Sequence, residues 1–185
     1  MNFNKHSELE GQHAFLSPSR YHWINYNEEK LDTTFKKYLS TQYGIRLHSF
    51  ACEAIQLGIK LPKSRKTLHL YVNDAIGYKM TTEQLLYYSS NCFGTADAIS
   101  FRQNTLRIHD LKTGESPTSM RQLEVYTALF CLEYEVDPKD IKIELRIYQL
   151  DEVLVHEPLL EDIYRIMEKI VLFDKQIDKT ILGEV

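Results

Sequence analysis

Cysteine is scarce in this chain: three residues among 185, Cys52, Cys92 and Cys131, with no C-x-x-C pair. That excludes a disulfide framework and leaves too few thiolates for a four-cysteine iron–sulfur cluster. No stretch approaches the ~18 continuous apolar residues that a membrane span requires. There is no G-x-x-x-x-G-K-[ST] loop, so a motor of that class is absent and any processivity must come from partners or oligomerisation. Internal repeats and low-complexity linkers are missing as well. Positive charge is also in deficit, with 22 Lys and Arg against 26 Asp and Glu and a formal charge of −4. A protein that grips nucleic acid through bulk charge would be basic, so any such contact here must be local or run through metal ions. Met1 to Gln12 is polar and lacks the apolar core of a secretory signal; the expectation is a cytoplasmic protein.

What is present suffices for a folded core, since 43% of residues are hydrophobic and the length suits one domain. The expected organisation is a single domain over 1–185, with a helical or irregular arm at 1–43, a core at 44–157 and a closing helix at 158–185. Ser17-Pro18 can open a short helix, with Ser17 as cap and Pro18 at the first helical position. Residues 20–42 read as one or two short helices. Gly44 to Gly58 reads as a further helix, with Gly58 marking its end. Thr81-Thr82-Glu83 looks like another helix start. Cys92–Phe101 and Thr105–Lys112 read as strands of an antiparallel hairpin turning at Arg102-Gln103-Asn104. Ser119–Tyr134 is expected to be a helix, 141–150 and 152–156 a pair of strands, and Leu159–Ile177 a long amphipathic helix. Helices, hairpin, helix, hairpin, helix make a mixed α/β domain.

The feature richest in chemistry is Gly94-Thr95-Ala96-Asp97 followed by Asp110-Leu111-Lys112. On neighbouring strands of one hairpin, Asp97 and Asp110 can converge, and two hard oxygen donors suit Mg²⁺ or Mn²⁺. Lys112 shares the Asp110 strand face because strand side chains alternate. Its ammonium would steady an attacking hydroxide or charge developing on a phosphate. The plain alternative is a set of surface carboxylates paired with lysines. Against it, strand interiors disfavour Asp, and Asp110 interrupts a β-prone run in the way functional sites do.

Gln122 and Tyr126 stand four apart on the next helix, placed to touch a phosphate backbone or position a substrate; a solvated Gln122 and a core Tyr126 are the alternative. His48 can supply a nitrogen ligand. Glu53 lies about 140° further round that helix and is the weaker candidate. Lys60, Lys63, Arg65 and Lys66 form the only concentrated basic run and, with Arg121, are candidates for phosphate contacts. His109 points to the opposite strand face from Asp110 and reads as structural. The aromatic residues, 12 Tyr and 8 Phe among them, are mostly core, with some free to act as base-stacking platforms.

Taken in order, a helix with His48, Gly94-x-x-Asp97, Asp110-x-Lys112 and Gln122-x-x-x-Tyr126 resemble the PD-(D/E)xK nuclease superfamily. The likeness is to its RecB-like branch, with its phage-encoded and CRISPR-associated exonucleases. His13-Ala14-Phe15-Leu16-Ser17-Pro18-Ser19 also looks like the start of small phage proteins of this kind. The resemblance covers about residues 13 to 130 and departs from some branch members in lacking their cluster-binding cysteines. It implies a restriction-endonuclease-like core, a central mixed sheet flanked by helices, holding one or two divalent metals. The ligands would be His48, Asp97, Asp110 and the Leu111 carbonyl, with Lys112 as catalytic base or charge stabiliser. The implied activity is metal-dependent DNA hydrolysis, as an exonuclease in phage or mobile-element recombination or processing inside a bacterial host cell. DNA, a recombination or replication protein and further copies of the chain are the implied partners. The alternative from another class is a catalytically silent module of the same fold that binds DNA or a protein.

Overall fold

The computed structural model describes residues 4–183, which divide into two compact units, one up to Ile45 and one from Arg46 onward. In the first unit a 3-10 helix, Pro18–Asn25, follows Ser17 with proline at its first position, as expected; Ser17 makes no side-chain cap. The Ser17 carbonyl instead accepts the Trp23 indole N–H at 3.0 Å. Phe15 packs on Phe35 and Tyr38, with ring centroids 4.9 and 5.4 Å away. Helix α1, Glu28–Gln56, starts where the Asn27 side chain accepts the Lys30 N–H at 2.8 Å and two glutamates occupy the first turn. Both features satisfy the exposed amides and dipole of a helix N-terminus.

The separate helices expected before and after Gly44 are one continuous helix of 29 residues. A lone interior glycine costs only about 1 kcal/mol, too little to break a cooperative helix of that length. Gly58 does end it. With φ +68°, its N–H bonds to the Ile55 carbonyl and Ile59 N–H reaches back to Ala54 at 2.8 Å, a left-handed closure that glycine adopts without penalty.

The second unit adds α2, Thr67–Gly77, to which the sequence reading assigns no element. Its Leu68, Tyr71, Val72 and Ala75 hold i, i+3, i+4, i+7 spacing, the ordinary signature of a buried helix face. Five strands follow: β1 Thr81–Ser89, β2 Cys92–Arg102, β3 Thr105–Leu111, β4 Lys142–Gln149 and β5 Glu152–His156. They form one mixed sheet in sequence order, with β3–β4 parallel and all other pairs antiparallel. Helix α3, Arg121–Glu133, is the crossover that a parallel pair requires, and α4, Leu160–Leu182, closes the chain. The fold is therefore α/β, a mixed sheet with flanking helices.

The helix start expected at Thr81 is instead strand β1. Thr82 and Leu86 are buried, and pairing along β2 outweighs a local cap-like pattern. Two apolar clusters cover the sheet. One joins Leu106, Ile108, Leu145 and Ile147 to Leu123, Leu129 and Ile163 of α3 and α4. The other joins Leu111, Ala98 and Tyr148 to Ala51 and Ala54 of α1 and to Val72 and Ala75 of α2. His109 is buried in that second region, 3.1 Å from the Tyr148 hydroxyl, the structural placement expected of it. No helix among the described residues is long and apolar enough to cross a membrane.

Candidate active site

The expected hairpin carries the site. β2 and β3 meet at Gln103 and Asn104, whose φ values of 49° and 58° suit the primed two-residue turn that matches strand twist. Along β3 the row Leu106, Ile108, Asp110 runs from core hydrocarbon to carboxylate. The Asp110 side chain retains only 6% of its exposure. Its Oδ1 accepts the Lys112 ammonium at 3.0 Å, and its Oδ2 is buried with no hydrogen-bond partner among the described residues.

Asp97 lies at an irregularity in β2. Ala96 packs with the α3–α4 cluster and Ala98 with the α1–α2 cluster. In a regular strand, residues two apart share a face, so the facing of β2 reverses at Asp97. Opposite it, between the pairs Thr82–Ala98 and Gln84–Ala96, Glu83 adopts φ +50°. A non-glycine residue there carries local strain of a kind that collects at functional sites, where irregular strands re-aim side chains. Asp97 Oδ2 accepts the Leu111 backbone N–H at 3.0 Å and stands 3.4 Å from His48 Nδ1. Three chain-distant pieces, α1, β2 and the end of β3, thus converge.

Burial raises both carboxyl groups above the usual carboxylate range. For Asp97 the Leu111 N–H and His48 oppose the rise and Glu83 adds to it. For Asp110 the neighbouring Asp97 adds to it, while Lys112 and, more weakly, His48 oppose it. Tyr71 of α2, raised chiefly by burial, also feels Asp97, Asp110 and Glu83. Glu83 and Tyr71 are the site residues that the sequence reading missed. The available signal for Glu83 was an acid inside the β-prone run 81–88, the same anomaly that marks Asp110.

A hydrogen-bonded chain orients the ammonium. Lys112 Nζ also donates to Gln122 Oε1 at 3.1 Å, Gln122 Nε2 donates to the Tyr126 hydroxyl at 3.3 Å, and Tyr126 donates to the Thr95 carbonyl at 2.7 Å. Tyr126 is therefore neither simple core nor free to reach a substrate unaided. It ties α3 to β2 two residues before Asp97. Gly94 has a steric role: a Cβ there would meet Tyr126 Cε1 at 3.0 Å. Gly94→Ala is expected to push the ring off the Thr95 carbonyl, lower stability by ~1–2 kcal/mol as overpacking does and slow any Lys112-dependent chemistry. Thermal melts of Gly94→Ala, Tyr126→Ala and the double variant would check this, since a steric cause predicts that Gly94→Ala costs little once the ring is gone.

Among the described residues the remaining candidates make no side-chain hydrogen bond or ion pair with His48, Asp97, Asp110 or Lys112. Glu53 is exposed, and Lys60, Lys63, Arg65 and Lys66 lie on an exposed loop. Arg121 is paired with Glu124 at 2.8 Å and Asp162 at 3.8 Å. Among the described residues no group of three or more His, Cys, Asp or Glu side chains is arranged to hold a metal ion. A hard cation retaining several waters needs fewer, one or two carboxylates and a carbonyl, and the orphaned Asp110 Oδ2 is a donor of that kind. Comparison with known protein families, curated proteins and solved structures finds no match to this chain.

Proposed function

We propose that this chain is a Mg²⁺- or Mn²⁺-dependent deoxyribonuclease of the PD-(D/E)xK superfamily, RecB-like, with a restriction-endonuclease-like core. The observation that carries this reading is Asp110. It is a buried carboxylate with one oxygen on Lys112 and the other unpartnered, in a site whose acids are short of compensating charge. A divalent cation would satisfy that oxygen, with Asp97, Asp110 and the Leu111 carbonyl as its protein ligands and His48 beside Asp97. Such an ion, when bound, polarises a phosphoryl oxygen and lowers the pKa of water.

The chain supplies the rest. Lys112, held by two acceptors, would stabilise charge as water adds to phosphorus and the P–O bond to one sugar breaks, the water's proton passing to the departing sugar oxygen or to solvent. Gln122 holds that ammonium in place, and Tyr126 fixes the strand that presents Asp97. Exonucleolytic action in phage or mobile-element DNA processing is the biological setting we infer.

End-labelled single- and double-stranded DNA and a circular duplex, incubated with Mn²⁺, test the reading. Linear substrates are expected to shorten while the circle persists, and Asp110→Ala abolishes both the shortening and its dependence on metal. Intact DNA with every divalent ion tried, together with no ion binding, sinks the reading. It would shift weight to a silent module, recognisable by partner capture that Asp110→Ala leaves unchanged.

A further inference from the structure

The unit up to Ile45 contains a cavity of about 470 Å³ lined by His13, Arg20, Trp23, Tyr26, Lys37 and Tyr38, among others. That volume falls within the ~300–1,000 Å³ typical of small-molecule sites. Among the described residues its lining contains no carboxylate: the rest is Phe15, Thr34, Thr41 and Gln42. In a chain with net charge −4, two cations facing one cavity without an acid is a specific arrangement. Lys36, one residue earlier on α1, is paired with Asp32 at 2.6 Å, whereas Arg20 and Lys37 have no carboxylate partner among the described residues.

The rings are held for contact. The Trp23 N–H is committed to the Ser17 carbonyl, which fixes the indole and leaves its faces for stacking. Tyr38 is braced by Phe15 and Phe35. The Thr34 and Thr41 hydroxyls donate to the backbone at Lys30 and Lys37, leaving their lone pairs as acceptors for ligand N–H groups. A guanidinium fork and an ammonium recognise phosphate, and aromatic faces take a base of any sequence.

We propose that this cavity binds a nucleoside monophosphate unit, with the base against the Trp23, Tyr26 and Tyr38 rings and the phosphate on Arg20 and Lys37. This binding is separate from metal-dependent hydrolysis and does not rest on it.

Trp23 is the only tryptophan in the chain, so its emission reports the pocket alone. Titration is carried out on the full chain in EDTA, which removes metal-dependent chemistry. The probes are dAMP, deoxyadenosine, inorganic phosphate and a six-residue deoxyadenylate strand. Saturable quenching by dAMP is expected, with deoxyadenosine and phosphate each binding at least tenfold more weakly. Arg20→Ala and Lys37→Ala, both on exposed side chains, are expected to weaken dAMP by about 10–100-fold each, the range for a lost charge-assisted hydrogen bond. Tenfold or greater preference for the strand over dAMP assigns the unit to single-stranded DNA, and a smaller difference assigns it to the free nucleotide. No quenching at millimolar dAMP, or undiminished quenching in a folded Arg20→Ala/Lys37→Ala protein, overturns the proposal. Phosphate binding as tight as dAMP would also overturn it, leaving an anion site without base recognition.

Discussion

The Asp110→Asn protein is expected to melt about 2–8 °C above wild type while cutting no DNA. Asp110 is nearly fully buried, one oxygen has no partner, and burial together with Asp97 raises its pKa. A carboxyl whose folded pKa lies above its unfolded value contributes stability that is fully present below the unfolded pKa. That contribution is lost as pH rises through the folded one. Once the pH has risen through the raised folded values of Asp110 and Asp97, the metal-free site is a load on the fold. Asparagine keeps the shape and removes the charge. Relief of ~1–2 kcal/mol, common where a site is held for function, corresponds to the shift given above for a chain of this size.

Two further readouts separate this cause from general stabilisation. Acidification toward the ordinary carboxylate range is expected to stabilise wild type as Asp97 and Asp110 take up protons, and Asp110→Asn to flatten that slope. At still lower pH the trend reverses as carboxylates held below the usual range, such as Asp137, Asp151 and Asp174, lose their hydrogen bonds. Mn²⁺ at 100 times its Kd is expected to stabilise wild type by ~2.7 kcal/mol, a rise of about 5–10 °C, and Asp110→Asn to gain far less. Calorimetry over pH with and without Mn²⁺ checks all three. A variant that melts lower, or that shares the full Mn²⁺ shift, contradicts the charge account of the site.

Lys112→Ala is expected to lower the single-turnover cleavage rate by about 10²–10⁴-fold, the range for a positioned proton-transfer or charge-stabilising group. DNA affinity should change little, since the loss is specific to the transition state. Lys112→Arg is expected to rescue poorly. A planar fork cannot reproduce a point charge shared between Asp110 Oδ1 and Gln122 Oε1. Gln122→Ala should give an intermediate loss, because the ammonium remains but its aim is relaxed. A Lys112→Ala rate within fivefold of wild type would remove Lys112 from the chemistry.

The β2–β3 hairpin was legible because alternation, a turn pair tolerant of positive φ and the anomalous Asp110 all agree within 20 residues. The α3 helix was equally plain, with Gln122 and Tyr126 a turn apart. By contrast, the reversal of facing at Asp97 leaves no mark on residue types, and Glu83 was hidden behind Thr81-Thr82, whose letters read as a helix cap. Tyr126 was read as core or as a substrate contact; its bond to the Thr95 carbonyl depends on how α3 lies against β2.

Local order along the chain determined which residues are chemically unusual: acids in β-prone runs, a lysine two places after one of them, and an amide and a phenol on one helical face. These follow from periodicity and backbone sterics, which act over a few residues. Only tertiary structure decided that His48, 49 positions before Asp97, stands against it, that Oδ2 of Asp110 is left without a partner, and that Arg20 and Lys37 face one aromatic cavity. Distances and burial of that kind arise from packing between elements, and packing is not encoded in any short window of sequence.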